Sequence, residues 1–149
     1  MATAASQAIL FLCDYQAPYG GNFIASMRKL DDALSARNVP ATYLFPAGAA
    51  ARDWCVSLQR LGKCVQFLPT GGMRAQLACL LETIDARGIT ILHVHFGFFP
   101  LGELAALLRP RLRLILHFHS DFSAGRAPTW KQRLRAAAKR LPETIIGKR

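Results

Sequence analysis

Five short apolar runs, each followed by a segment with helical periodicity, constrain the fold of this chain more than any other feature. The runs are AILFLC at residues 8–13, PATYLFP at 40–46, CVQFLP at 64–69, ITILHVHFGFF at 89–99 and RLILHFHSDF at 113–122. Apolar runs of this length are typical of strands buried on both faces. The intervening segments place apolar residues at helical spacing, as Phe23, Met27 and Leu30 do. Alternating strands and helices predict a parallel sheet built from right-handed crossovers.

The pattern continues to the end of the chain. It predicts a last helix over about residues 129–141 and a sixth strand at residues 143–147, ETIIG. With 149 residues, 52% of them hydrophobic, the chain is long enough to bury one core. We therefore expect one domain over residues 1–149: a Rossmann-like, doubly wound parallel α/β sheet of about six strands with helices on both faces.

The basic charge is concentrated in the C-terminal quarter. Residues 109–149 hold 11 Lys and Arg against 2 Asp and Glu, whereas residues 1–108 hold 8 against 7. Such a region favours an anionic partner, although a basic helix is also commonly a solvated face. We expect peripheral membrane contact through the basic 126–140 segment and no nucleic-acid partner, because the sequence contains no recognised nucleic-acid module.

Two further patterns bear on the compartment. The sequence has neither a long apolar span nor the basic start and apolar centre of a signal peptide. The four cysteines occur singly within apolar segments, as packed, reduced thiols do. We expect a cytoplasmic protein, peripheral at most to the inner face of the membrane.

Polar and glycine residues gather where the predicted strands end. Asp14 and the pair Gly20 and Gly21 follow the first strand; His95 and Gly97 close the fourth. His119, Ser120 and Asp121 close the fifth. Ligands of parallel α/β sheets bind outside these carboxyl ends, so this edge is the predicted site.

The pair Gly20 and Gly21 has two possible interpretations. It can bring the backbone close to a ligand at the start of a helix, or it can simply form a tight turn. A dinucleotide site would need G-x-G-x-x-G here and an acidic residue after the second strand, and the sequence has neither. We therefore expect no nicotinamide or flavin cofactor.

The four histidines form two H-x-H pairs, and the members of a pair share one face of their strand. We assign His95 and His119 to the ligand edge, and His93 and His117 to packing within the sheet. Asp121 is a candidate for binding substrate hydroxyls or, alternatively, for capping a turn. The H-x-H pairs also suggest an alternative function, that of a metal-dependent hydrolase. Asp14 and Asp121 are the only strand-end carboxylates, however, and we expect no metal.

Several of these segments together resemble a known family. They are Pro18-Tyr19-Gly20-Gly21, the helix end Leu34-Ser35-Ala36-Arg37, ILHVHFG at residues 91–97 and LILHFHSDF at residues 114–122. In this order they resemble the N-terminal, acceptor-binding half of GT-B glycosyltransferases. The most similar type is family 4, which includes bacterial cell-surface polysaccharide and glycolipid enzymes.

The resemblance implies a retaining, metal-independent hexosyl transfer from a nucleotide sugar, used as co-substrate with no cofactor, to a sugar or lipid-linked acceptor. It implies that the glycine loop with Gly20, Gly21 and Asn22 lies against donor phosphates and acceptor. It also implies that His119 lines the catalytic cleft, with His95, Gly97, Ser120 and Asp121 binding substrate nearby.

Two departures from the family pattern accompany the resemblance. Ser120 stands where the family usually has glycine. The family's donor-binding domain with its E-x7-E signature has no counterpart in the 149 residues, so activity would need that domain in cis or in trans. The chain is then a domain, a truncated product or half of a two-chain enzyme, and we expect it to be inactive alone. A non-enzymatic module with the same fold, binding a partner or a membrane, is the alternative.

Overall fold

A computed structural model describes residues 7–119, and these contain a five-stranded, all-parallel sheet. The strands are β1 (Ile9–Cys13), β2 (Ala41–Pro46), β3 (Cys64–Leu68), β4 (Ile91–His95) and β5 (Arg113–His117). Each lies within one of the five apolar runs. The α/β class and the parallel sheet are confirmed.

Four α-helices connect the strands. They are α1 (Gly21–Ser35), α2 (Asp53–Arg60), α3 (Met73–Ala86) and α4 (Phe99–Leu108). The sequence pattern predicts the second helix over residues 49–62, whereas α2 is shorter and begins only after a 3-10 turn at Ala47–Ala49 that directly follows β2. The predicted last helix and sixth strand lie outside the described residues.

The strand order is β3-β2-β1-β4-β5. It is the order of the first five strands of a doubly wound sheet, and it is compatible with a Rossmann-like fold. The central strand β1 pairs with β2 on one side and with β4 on the other. All five residues of β1 are buried.

The two faces of the sheet are covered by different helices and different side chains. On the aliphatic face, α3 and α4 pack on the strands through Leu10, Leu12, Leu44, Leu68, Leu80, Ile84, Leu92, Val94, Leu101 and Ala105. On the aromatic face, α1 and α2 pack through Ile9, Phe11, Cys13, Ile24, Met27, Tyr43, Phe45, Trp54, Cys55 and Leu58. Both cores form because strand side chains alternate between the faces.

The aromatic face also encloses a polar network. The buried Tyr43 hydroxyl donates to Oδ2 of Asp31 at 3.0 Å, and Lys63 Nζ lies 3.2 Å from the same oxygen. Lys63 also bonds Asp32 at 2.7 Å, which lowers the pKa of the Asp32 carboxyl. A buried carboxylate is stable only with such partners, so the network fixes α1 against β2 and the start of β3.

Residues 7–118 belong to one compact unit, and a second unit begins at His119. The prediction of one domain over residues 1–149 therefore stays a prediction. No helix within residues 7–119 is long and apolar enough to cross a membrane. The basic 126–140 segment lies outside the described part of the chain.

Candidate functional site

The carboxyl ends of β1 and β4 define the candidate site. The chain leaves β1 towards β2 and leaves β4 towards β5, on the opposite side, so the order of the strands reverses between β1 and β4. Cys13 and His95, the last residues of these strands, are partners in the register. Crevices at such a reversal are where open α/β sheets bind ligands.

The glycine turn, residues 18–21, connects β1 to α1. Gly21 has a φ of +54°, a conformation that side chains with a Cβ rarely adopt. At Gly20 an added Cβ would lie 3.0 Å from Cβ of Trp54, so α1 and α2 approach closely there. The backbone geometry therefore explains both glycines, and their role in ligand binding stays a prediction.

Side chains hold the segment that leads into this turn. The Tyr15 hydroxyl donates to the carbonyl of Tyr19 at 2.7 Å. Trp54 Nε1 donates to the carbonyl of Ala17 at 2.9 Å, and Arg52 Nε donates to that of Gln16 at 3.0 Å. The segment is therefore fixed before any ligand binds, which lowers the entropy cost of binding.

The turn after β4 contains a strained residue. Phe96 has a φ of +63°, which is uncommon for a residue with a bulky side chain. Strain of this kind costs of order 1–3 kcal/mol and occurs most often at functional sites. The strained residue thus supports this edge of the sheet as the candidate site.

Gly97 and Asp14 lie against each other across the reversal. A Cβ at Gly97 would collide with Oδ2 of Asp14, so only glycine leaves room for this carboxylate. The Asp14 amide also donates to the His95 carbonyl at 3.3 Å. Partial burial raises the pKa of the Asp14 carboxyl.

An aromatic cluster joins the two turns. The ring of Phe96 stacks on Tyr15 at a centroid distance of 5.5 Å and meets the edge of Phe23 at 4.8 Å. Phe23, in the first turn of α1, also lies 5.3 Å from the imidazole of His95. The ends of β1 and β4 and the start of α1 therefore form one rigid edge.

The structure distributes the histidines differently from the sequence-based expectation. His95 is only 1% exposed, because Phe23 and Phe96 lie over it, whereas His117 is exposed and His93 is half-buried. The residues of β5 alternate between exposed and half-buried. The expectation that the strands are buried on both faces is therefore wrong for β5. Direct contact between His95 and a substrate would require the aromatic cluster to move.

The other predicted site residues fall into two groups. Asn22, in the first turn of α1 beside Gly20 and Gly21, is exposed, and so is Gly97 in the turn after β4. His119 is exposed and is the last residue described; Ser120 and Asp121 lie outside the described residues. The structure thus brings together the β1 and β4 turns, and the assignment of His119 as catalytic stays a prediction.

Sequence reasoning missed the aromatic cluster and the contact between Asp14 and Gly97. The one sequence signal for the cluster is the number of aromatic residues near the two turns, Tyr15, Tyr19 and Phe23 after β1 and Phe96 after β4. Nothing in the sequence pairs Asp14 with Gly97, which are 83 positions apart in the chain.

The outer side of the glycine turn lines a shallow pocket of about 270 Å³ between α1 and α2. Arg28 provides a cation there, and Trp54 and Ser57 contribute from α2. The start of α1 adds the partial positive charge of a helix N-terminus. This side of the turn suits an anionic group.

The chain was compared with protein-family models and with curated proteins. Neither comparison found a match.

Proposed function

We propose that this chain forms the acceptor-side wall of a glycosyltransferase cleft, as half of a GT-B fold. The paired ends of β1 and β4 carry this proposal, because they bring Asp14, the glycine turn and Gly97 to one edge. The family resemblance supplies the reaction: retaining, metal-independent transfer from a nucleotide sugar. A donor-binding domain, in cis or in trans, would form the opposite wall.

The exposed groups at this edge suit a sugar hydroxyl acceptor. The Asp14 carboxylate accepts hydrogen bonds, and the Asn22 side chain both donates and accepts them. Tyr19, within the glycine turn, is 70% exposed and offers a ring face for the C–H groups of a sugar. Carbohydrate recognition by such groups does not require the buried His95 to touch the ligand.

The cationic side of the glycine turn suits a phosphate. Arg28 and the start of α1 lie on the same pocket as Gly20 and Gly21. Helix N-termini bind phosphates through free backbone amides and the helix dipole. A phosphate of a sugar donor or of a lipid-linked acceptor would fit this position.

Binding by the isotopically labelled chain tests the proposal. We would titrate it with methyl glycosides of hexoses and N-acetylhexosamines and with a short polyprenyl-phosphate sugar, and follow amide shifts by NMR. A sugar acceptor should shift the amides of Asp14, Gly21 and Gly97. UDP- and GDP-sugars should bind weakly to this chain, because the nucleotide grip belongs to the other domain.

A pair of glycine variants provides the control. Gly97→Val should abolish these shifts, because its side chain displaces the Asp14 carboxylate. Gly72→Val is the matched variant, since an added Cβ there meets nothing within 4 Å. Tight binding of nucleotide sugars, or shifts confined to other regions, would contradict the proposal. Absence of any sugar binding would favour a non-enzymatic module.

A further inference from the structure

We propose that His93, His95 and His117 form a binding site for one borderline transition-metal ion, with zinc the best fit. Each residue offers an imidazole nitrogen, and the three nitrogens lie within 4.8 Å of one another. This inference is independent of the proposed sugar transfer and runs against the expectation that the chain binds no metal.

The sheet itself brings these rings together. His93 and His95 are two residues apart on β4, so they share a face, and their ring centroids are 4.1 Å apart. In the parallel register His95 pairs with His117 of β5, and the ring centroids of that pair are 5.0 Å apart. Two hydrogen-bonded strands therefore hold all three ligands, and no loop contributes one.

The type of ligand selects the type of metal. Imidazole nitrogen suits zinc, copper and nickel, whereas magnesium and calcium prefer oxygen ligands. No carboxylate belongs to this cluster among residues 7–119. Three histidines with a fourth position open to water are a known zinc arrangement.

The geometry allows coordination with side-chain movement alone. Zinc–nitrogen bonds of about 2.0–2.1 Å in a tetrahedron place the nitrogens roughly 3.4 Å apart. The observed separations of up to 4.8 Å are longer, so coordination would require the imidazoles to turn towards one another about their side-chain torsions. The exposed His117 gives the ion a path from solvent, while His95, at 1% exposure, shields the inner side.

Bound metal would join the carboxyl ends of β4 and β5. β5 forms one margin of the sheet within the described residues, and its residues are exposed or half-buried. An ion that binds only the folded site would stabilise the protein by mass action. The metal would therefore raise the melting temperature whether or not the chain transfers sugar.

Zinc titration of the untagged, metal-stripped protein tests this site. Calorimetry should show one zinc ion per chain and no comparable binding of magnesium. Cobalt should give visible absorption bands of low-coordinate nitrogen ligation, without the near-ultraviolet bands of thiolate ligation. Zinc should also shift the imidazole nitrogen resonances of His93, His95 and His117 in the wild-type protein.

His117→Gln is the decisive variant, because His117 is exposed at the end of a strand and its loss should leave the fold intact. It should weaken zinc binding by at least the roughly 10- to 100-fold that loss of an outer-shell partner costs a metal site. Arg113→Gln is the matched control, because Arg113 is exposed on the same face of the same strand. It should leave zinc affinity unchanged.

Three results would overturn the site: no zinc binding at micromolar concentrations, equal affinity in the wild type and His117→Gln, or zinc-induced shifts away from these imidazoles. If His117→Gln fails to fold, the wild-type imidazole shifts decide the question alone.

Discussion

The aliphatic and aromatic faces belong to the same sheet but bury different types of side chain. The buried hydrophobic residues of the aliphatic face are Leu, Ile, Val and Ala, and the buried polar residues on that side are the uncharged Thr42 and Thr83. The aromatic face contains Phe, Tyr and Trp, the buried Asp31 and the three neighbouring imidazoles. The aliphatic face is therefore stabilised mainly by apolar burial, whereas the aromatic face also holds titratable groups that must be positioned.

This difference explains where the candidate sites lie. Phe23 and Phe96, which join the two turns at the reversal, contact His95 on the aromatic side. The three histidines of the proposed metal site lie on that side as well, since His93 and His95 both contact the ring of Phe11. Substitutions on the two faces should accordingly have separable effects.

The largest effect is expected on the aliphatic face. Leu92 is completely buried in β4, and Leu92→Ala should lower the free energy of unfolding by about 2–5 kcal/mol by leaving a cavity. Leu107→Ala is the matched control, because Leu107 is 76% exposed on α4, and it should change stability by less than about 0.5 kcal/mol. Urea denaturation measures both; similar values would mean that α4 does not cover β4 as described.

A smaller effect is expected from the polar network of the aromatic face. Tyr43→Phe removes the hydroxyl that donates to Asp31, and should cost about 1–3 kcal/mol because the buried carboxylate loses a partner. Tyr19→Phe, at an exposed position, should be nearly neutral by the same denaturation measurement. A neutral Tyr43→Phe would show that Lys63 and Ser35, the other partners of the Asp31 carboxylate, satisfy it without the tyrosine.

The next effect depends on pH. Burial raises the pKa of the Asp14 carboxyl in the folded state, so the folded protein holds that proton more tightly than the unfolded chain does. Stability should therefore fall slightly as the pH rises from the ordinary aspartate value through the raised one. Asp14→Asn should remove this loss and be slightly more stable than the wild type at pH 7. Thermal melts between pH 3 and 7, a range that spans the ordinary aspartate pKa of about 3.9, measure the stability of both proteins. Parallel curves of stability against pH for the wild type and Asp14→Asn would contradict the prediction.

The smallest effect on stability is expected from Gly97→Ala. The new methyl group displaces only the end of the flexible Asp14 side chain, so stability should change by less than about 1 kcal/mol. The displaced carboxylate becomes more hydrated, and its pKa should return towards the ordinary value. Carbon-13 NMR titration of Asp14 tests this, with Gly72→Ala as a control that leaves the pKa unchanged.

Much of the fold could be predicted from the sequence, because apolar periodicity reports which side chains are buried. The five strands and four helices within residues 7–119 lie in the predicted segments, and only the start of α2 differs substantially. A 3-10 turn after Pro46 depends on how the chain leaves the sheet, which periodicity does not encode.

The candidate site was less accessible from sequence. Glycine and histidine at strand ends indicated the correct edge, since the ends of parallel strands meet there. The exposure of each histidine could not be predicted, because it depends on whether a neighbouring side chain covers it. Phe23 covers His95 only because α1 begins directly beside the end of β4.

The sequence by itself determined that the chain forms alternating strands and helices and that its polar groups gather at the carboxyl edge. These properties depend on the local order of apolar and polar residues. Only the tertiary structure decided that Asp14 meets Gly97 and that nitrogen atoms of His93, His95 and His117 lie within 4.8 Å of one another. Such contacts depend on strand order and register, which bring together residues far apart in the chain.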